Sequence, residues 1–195
     1  MKIMQKYFLA LVPPAEILEK AESIKQEIRG KFNVKYALKS PAHITLKMPF
    51  SYNEAKEAVL CEQLSVFASR FKPFKVELGK INTFGKRVIF LGVEPSAPLL
   101  LLQSALKSFC KKELNLVDEL SDRNYHPHMT LAFKDLKATK FDDVLGLAKS
   151  KEFDAEFIAK GFYLLKRADG KWKIHREIPF SSGGLMDTLP GNREI

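Results

Sequence analysis

Short apolar runs and helical stripes alternate along this chain, and their order sets out its elements. Tyr7 to Val12 is a continuous apolar run of strand length, stopped by Pro13-Pro14. Ile17, Leu18, Ala21, Ile24, Lys25 and Ile28 then recur at helical spacing as far as Gly30, so a strand passes into a helix. A second strand begins at His43-Ile44-Thr45-Leu46, just after Pro41. Asn53 to Phe71 follows as a helix with Val59, Leu60, Gln63, Leu64 and Phe67 on or near one face. Strands are predicted over Phe74 to Asn82 and Arg87 to Val93, with Thr83-Phe84-Gly85-Lys86 as the hairpin turn. After Pro95 the pattern returns as a helix from about Pro98 to Leu114, a strand beginning at His128 and a weaker helix from about Asp142 to Lys149. Phe157 to Arg167 and Lys171 to Ile178 read as a closing hairpin, because Asp169-Gly170 suits the positive φ angles of a tight turn. Residues 181–195, rich in Ser, Gly and Pro at their start and middle, read as a flexible tail.

The recurrence extends to the residues. Phe8-Leu9-Ala10-Leu11-Val12-Pro13 aligns with Phe90-Leu91-Gly92-Val93-Glu94-Pro95 at an offset of 82, and both lead into a helix. His43-Ile44-Thr45-Leu46 aligns with His128-Met129-Thr130-Leu131 at an offset of 85, so a three-residue insertion reconciles the two. The chain is therefore expected to form one domain over 1–180, with two similar halves, about 6–82 and 87–178, related by a pseudo-two-fold axis.

With 195 residues, 46% of them hydrophobic, the chain can bury a proper core. Its net charge of +9 and pI of about 9.4 favour an anionic partner, nucleic acid or nucleotide first, beside the plainer reading of a solvated lysine-rich surface. Cys61 and Cys110 fall in apolar helical stripes and read as buried core thiols, not a disulfide framework. The first apolar run is too short for a signal or membrane segment, and no other stretch approaches the roughly 18 apolar residues of a span, so cytoplasm is the expected compartment.

Side chains two apart on a strand share a face, so each His-x-Thr presents one imidazole and one hydroxyl on the same side. Two such strands facing one another would surround a single phosphorus with two bases and two hydroxyl donors. Opening a cyclic phosphodiester by in-line attack needs a base for the water and an acid for the departing oxygen, on opposite sides. Histidine serves either task, because its ordinary pKa of about 6.5 gives access to both protonation states near neutrality. Thr45 and Thr130 suit the non-bridging oxygens, where charge accumulates. His43, His126 and His128 could instead ligate a metal, but no carboxylate or cysteine stands at ligand spacing in the motifs, so no metal or other cofactor is expected.

Pro41-Ala42-His43-Ile44-Thr45-Leu46-Lys47 and Tyr125-His126-Pro127-His128-Met129-Thr130-Leu131-Ala132 resemble the motifs of the two-histidine (2H) phosphoesterase superfamily. The closer likeness is to its 2′-5′ RNA ligase-like and RNA 2′,3′-cyclic phosphodiesterase branch, and it extends over about residues 6–180. The resemblance implies a bilobal α+β fold with two antiparallel sheets flanked by helices enclosing a central basic cleft. It implies His43 as proton donor to the leaving oxygen, His128 as acceptor from water, and Thr45 and Thr130 as substrate-binding groups. Many relatives carry Arg five residues after the second motif histidine. Here that position is Phe133, whose strand parity, opposite to that of His128, points to the core, and Lys134 follows it. Lys47, Tyr125 and His126 are candidates for supporting roles, and Lys166 or Arg167 for the cleft lining.

The expected function is a metal-independent cyclic phosphodiesterase for RNA or nucleotide ends, acting as a monomer without a membrane partner and capable in reverse of 2′-5′ ligation. The competing readings are a non-catalytic basic RNA-binding module and a cyclic phosphodiesterase for a small nucleotide-derived metabolite.

Overall fold

A computed structural model describes residues 3–181, so the expected tail, apart from Ser181, lies outside the described residues. The first half of the chain forms β1 (Met4–Leu11), α1 (Ala15–Phe32), β2 (Ile44–Asn53) and α2 (Glu57–Ala68). Then come β3 (Phe74–Phe84), β4 (Val88–Val93), α3 (Ala97–Lys112), the single-turn α4 (Leu120–Arg123), β5 (His128–Ala132) and α5 (Ala138–Lys149). The chain closes with β6 (Ala155–Ala159), β7 (Gly161–Ala168) and β8 (Lys171–Pro179). The apolar spacing does not announce α4, which a reciprocal cap between Glu119 and Asp122 holds together.

One expected element divides. The segment read as a single strand over Phe157 to Arg167 is β6 and β7, broken at Lys160. The division follows the pairing, since β6 lies against β3 while β7 lies against β1 and β8; just past the break a Cβ on Gly161 would collide with the backbone of Ile178 and Pro179, so only glycine lets β7 begin this close to β8.

All strand pairs are antiparallel, in the order β6-β3-β4-β5-β2-β1-β7-β8. The sheet comprises two four-stranded halves, β8-β7-β1-β2 and β5-β4-β3-β6, joined through one registered pair, Ile44 with Met129. The pseudo-two-fold relation is visible in this order: β1 and β2 of one half correspond to β4 and β5 of the other. The halves of the sheet are not the halves of the chain, however. β3 joins the half built on β4, and β7 and β8 return to β1. Because β6 and β7 are one residue apart in sequence yet six places apart in the sheet, the sheet must curl until their ends meet.

The helices cover one face. Leu9, Leu11, Ile44, Leu46, Met129 and Leu131 are fully or almost fully buried from that side, together with Ile24 and Ile28 of α1, Leu60 and Leu64 of α2, Leu102 and Leu106 of α3, and Val144 of α5. Each such aliphatic side chain contributes about 1.5–3 kcal/mol. Cys61 and Cys110 are buried free thiols, as their place in the stripes implies. At the far end of β1, Glu57 at the start of α2 accepts from Tyr7, Lys166 and His175 and so fastens the helix to β1, β7 and β8. These donors hold its carboxyl down at about 2 against the burial that opposes them. Among the described residues no helix is long and apolar enough to cross a membrane.

Candidate active site

The register places the two motifs side by side. Ile44 and Met129, facing each other across β2 and β5, both point into the core with no exposed surface. Continuing that antiparallel register one residue each way sets His43 opposite Thr130 and Thr45 opposite His128. All four are half-buried and lie on the face away from the helices. In such a quartet directly opposed residues are about 4.5–5.5 Å apart and diagonal ones about 7–8 Å, so the two imidazoles occupy one diagonal and the two hydroxyls the other.

Beyond each threonine the motif strand skips a residue. Against β1, Thr45 pairs with Ala10 and Lys47 with Leu9; against β4, Thr130 pairs with Phe90 and Ala132 with Ile89. A β-bulge at Leu46 and another at Leu131 thus end each motif in the same way, and bulges commonly re-aim side chains beside functional sites.

The two imidazoles are anchored alike. Nδ1 of His43 lies 2.6 Å from the carbonyl oxygen of Pro41, and Nδ1 of His128 lies 2.7 Å from that of His126. A carbonyl only accepts, so each Nδ1 carries the proton and each Nε2 is left to the open face, able to take a proton or, once protonated, to give one. An aromatic ring backs each imidazole: Phe8 at 4.8 Å from His43, and Phe90 and Phe84 at 5.1 and 5.0 Å from His128. Neither threonine hydroxyl has a hydrogen-bond partner among the described residues, so both remain available to a ligand.

Their electrostatics differ. Burial drives His43 down to about 4; the Pro41 bond opposes this, while the charges of Lys25 and His128 add to it. His128 is also lowered, by burial and by the charge of His126, against its bond to the His126 carbonyl. The stretch carrying Pro41 is clamped from α1. Glu22 accepts from the Ala42 N–H and from Lys25 Nζ, both at 2.6 Å, and Lys25 donates to the Ser40 carbonyl at 2.8 Å. Lys25 is buried, and desolvation lowers its pKa despite Glu22.

The supporting residues anticipated from sequence fall out differently. Lys47 does not line the cleft: the bulge at Leu46 turns it to the helix side, where it is buried, donates to the Val117 carbonyl at 2.8 Å and forms an ion pair with Asp122. Tyr125 stands behind the motif, its ring packed on the core and its buried hydroxyl unpartnered, which raises its pKa. His126 supports through its backbone carbonyl, while its exposed ring stands edge-on to Phe84 at 5.2 Å. Phe133 is a further correction, since the bulge at Leu131 reverses the parity on which a core position was expected. It packs edge-on against Tyr36 at 5.1 Å instead. Lys166 is taken up by Glu54 and Glu57, whereas Arg167 is exposed and lies over the ring of Trp172.

Sequence reasoning missed Glu22, Lys25 and Asp122. The signal for the first pair was a lysine in the apolar stripe of α1 with a glutamate three residues before it. Among the described residues no group of three or more His, Cys, Asp or Glu converges as a metal site would require.

The chain has known relatives and the fold has known counterparts. The sequence model of the 2′-5′ RNA ligase superfamily matches residues 13–171. A Bacillus cytotoxicus protein named "Putative phosphoesterase" is 29% identical over 182 residues, covering 91% of this chain and 98% of its own. A protein of the same description from Oceanobacillus iheyensis is 28% identical over 174 residues, covering 88% and 95%. Among solved structures, TT0787 of Thermus thermophilus superposes with a TM-score of 0.64 at 17% identity, covering 90% of this chain and 98% of that one. E. coli LigT, crystallised with 3′-AMP, gives 0.61 at 19% identity, covering 93% and 100%. At these identities the two structures establish a shared fold.

Proposed function

The chain belongs to the 2′-5′ RNA ligase superfamily of two-histidine phosphoesterases, and from that premise we propose that it opens 2′,3′-cyclic phosphates at RNA or nucleotide ends without a metal. The observation that carries this reading is the matched anchoring of His43 and His128, which leaves two Nε2 atoms on one diagonal of an open quartet with two unpartnered threonine hydroxyls on the other.

In the reaction one Nε2 accepts a proton from water as its oxygen attacks phosphorus. The P–O3′ bond breaks in line, and the other imidazolium delivers its proton to O3′, leaving a 2′-phosphate. Thr45 and Thr130 donate to the non-bridging oxygens. With the 5′-hydroxyl of a second RNA end in place of water, the same groups would form a 2′-5′ linkage, and run backwards they would cleave one. Each proton transfer contributes about 10²- to 10⁴-fold. Family likeness assigns the donor role to His43, but burial holds His43 neutral in the free protein at pH 7. That role therefore requires the negative charge of a bound phosphate to raise its pKa.

The test is turnover of 2′,3′-cyclic nucleotides and of RNA ending in a cyclic phosphate, in excess chelator, with the product resolved as 2′- or 3′-phosphate. Metal-free turnover to the 2′-phosphate is expected. Activity that disappears with chelator would overturn the mechanism, and RNA binding without turnover of any cyclic phosphate would favour a non-catalytic module.

A further inference from the structure

Beside the histidine pocket, two lysines gather around one tyrosine and an arginine lies over the nearby Trp172. Lys39 and Lys134 hold their ammonium groups 4.7 and 4.5 Å from the centre of the Tyr36 ring, and Lys134 also donates to the Tyr36 hydroxyl at 3.0 Å. Together with Arg167 these charges lower the pKa of the phenol. All three cations are exposed, and among the described residues none of them forms an ion pair. Asp135 ties this segment down: one of its oxygens accepts from the N–H groups of Lys35 and Tyr36 at 2.8 and 3.0 Å, while the other is buried without a hydrogen-bond partner. That bond fixes the stretch ahead of the first motif to the one after the second, so the cluster is held in place rather than hung on a loose loop.

The cluster is continuous with the pocket. From His43, ring contacts run to Phe8 at 4.8 Å and from Phe8 to Trp172 at 4.8 Å, and the Arg167 guanidinium lies 5.8 Å from the Trp172 ring. Tyr36 in turn rests on Phe133, three residues beyond Thr130. Uncompensated cations interleaved with aromatic rings are what single-stranded nucleic acid uses: the cations track phosphates and the rings offer faces to bases. A mononucleotide filling the quartet has no second phosphodiester to place there.

We propose that Lys39 and Lys134 around Tyr36, together with Arg167 over Trp172, form a second anion subsite that binds the phosphodiester preceding the terminal cyclic phosphate of a single-stranded RNA. The protein is then selective for oligonucleotide ends over free cyclic nucleotides. This rests on the cyclic-phosphate reading of the histidine site, and the two can fail separately. The subsite is read by binding, whereas the chemistry is read by turnover of a cyclic phosphate on a mononucleotide or an RNA end.

The experiment measures the affinity of a short single-stranded RNA ending in a 2′-phosphate over a range of salt, for the wild type, for the Lys39→Ala/Lys134→Ala double variant and for the Lys39→Arg/Lys134→Arg variant. The slope of log K against log salt is expected to become shallower by about 0.7 in the alanine variant, the worth of one single-strand phosphate contact, and to return in the arginine variant. Where turnover is seen, the ratio of kcat/KM on the oligonucleotide to that on the cyclic mononucleotide is expected to fall by about tenfold. An unchanged slope overturns the subsite, as does equal loss on both substrates. Binding of polyglutamate of matched charge as tightly as the RNA also overturns it, because the patch would then be a general anion surface. Failure of the wild type to hydrolyse a cyclic phosphate on either a mononucleotide or an RNA end overturns the chemistry of the histidine site and leaves the salt slope to decide the subsite.

Discussion

His43 and His128 make the same bond in different company. Each donates from Nδ1 to a carbonyl two residues earlier and has an aromatic ring at its back. The carbonyl that holds His43 lies in a stretch clamped by Glu22 and buried Lys25, whereas the one that holds His128 belongs to an exposed residue, His126. The His128 side is steadied further upstream, where Asp122 accepts from Lys47, Met48 N–H and Glu119 N–H. The repeated motif thus supplies two equivalent imidazoles, and the unrepeated surroundings make them unequal. Equivalent groups can serve as acid or base, but unequal ones are biased toward one role.

The bluntest way to break the comparison is to remove either ring. His43→Ala and His128→Ala should each lower kcat by about 10²- to 10⁴-fold on a cyclic phosphate, with far-UV circular dichroism unchanged. A wild-type rate in either variant would take that residue out of the chemistry and leave a single-histidine site. Next in size is the tie on the His128 side. Asp122→Ala leaves the buried Lys47 ammonium only the more distant carboxylate of Asp118, at 3.9 Å, and should cost about 3 kcal/mol of stability, the lower end for breaking a buried pair, read by denaturant unfolding. A loss under about 1 kcal/mol, the range of a solvated pair, would mean that Lys47 escapes to solvent and that the tie is not what joins β2 to α4.

A sharper cut is Glu22→Ala, which removes the acceptor for the Ala42 N–H and for Lys25 without touching the pocket. The expected loss is about tenfold in kcat, the size of one net hydrogen bond, with KM little moved. The limb of the pH–rate profile belonging to His43 should shift while the other stays, and Glu22→Gln should recover part of the rate. Equal movement of both limbs would show that the clamp supports the fold generally and does not position His43.

How much of this was legible in the sequence depended on the range of the interaction. His43, Thr45, His128 and Thr130 could be read as two matched pairs because strand parity over three residues is a local property. The fate of Lys47 and Phe133 could not, because a bulge is a mismatch between two strands and leaves no mark on either one alone. The division of Phe157 to Arg167 was hidden for a similar reason: the alternation runs on through Lys160, and only the pairing of β6 with β3 and of β7 with β1 and β8 separates the two. The exchange of β3 and of β7 and β8 between the halves is likewise a property of pairing, which a repeat along the chain cannot reveal.

The smallest expected effect asks whether the inequality of the two rings exists in the free protein. A histidine whose folded pKa, about 4 for His43, lies below its unfolded value near 6.5 binds fewer protons folded than unfolded between those two pH values. Stability contributed by keeping it neutral is therefore present above about pH 6.5 and is lost as pH falls toward 4. Between pH 7.5 and 5.5 the loss assignable to His43 is about 1 kcal/mol, or roughly 2–4 °C in Tm for a chain of this size. The wild type should lose that much more than His43→Ala over the same interval, and His128→Ala should recover less of the difference. If the two variants behave alike, the rings are electrostatically equivalent and burial does not decide which one begins the cycle as base. Repeating the melts with bound 2′-AMP should abolish the His43 difference, because the phosphate charge stabilises the imidazolium; a difference that persists would make His43 the base and His128 the acid.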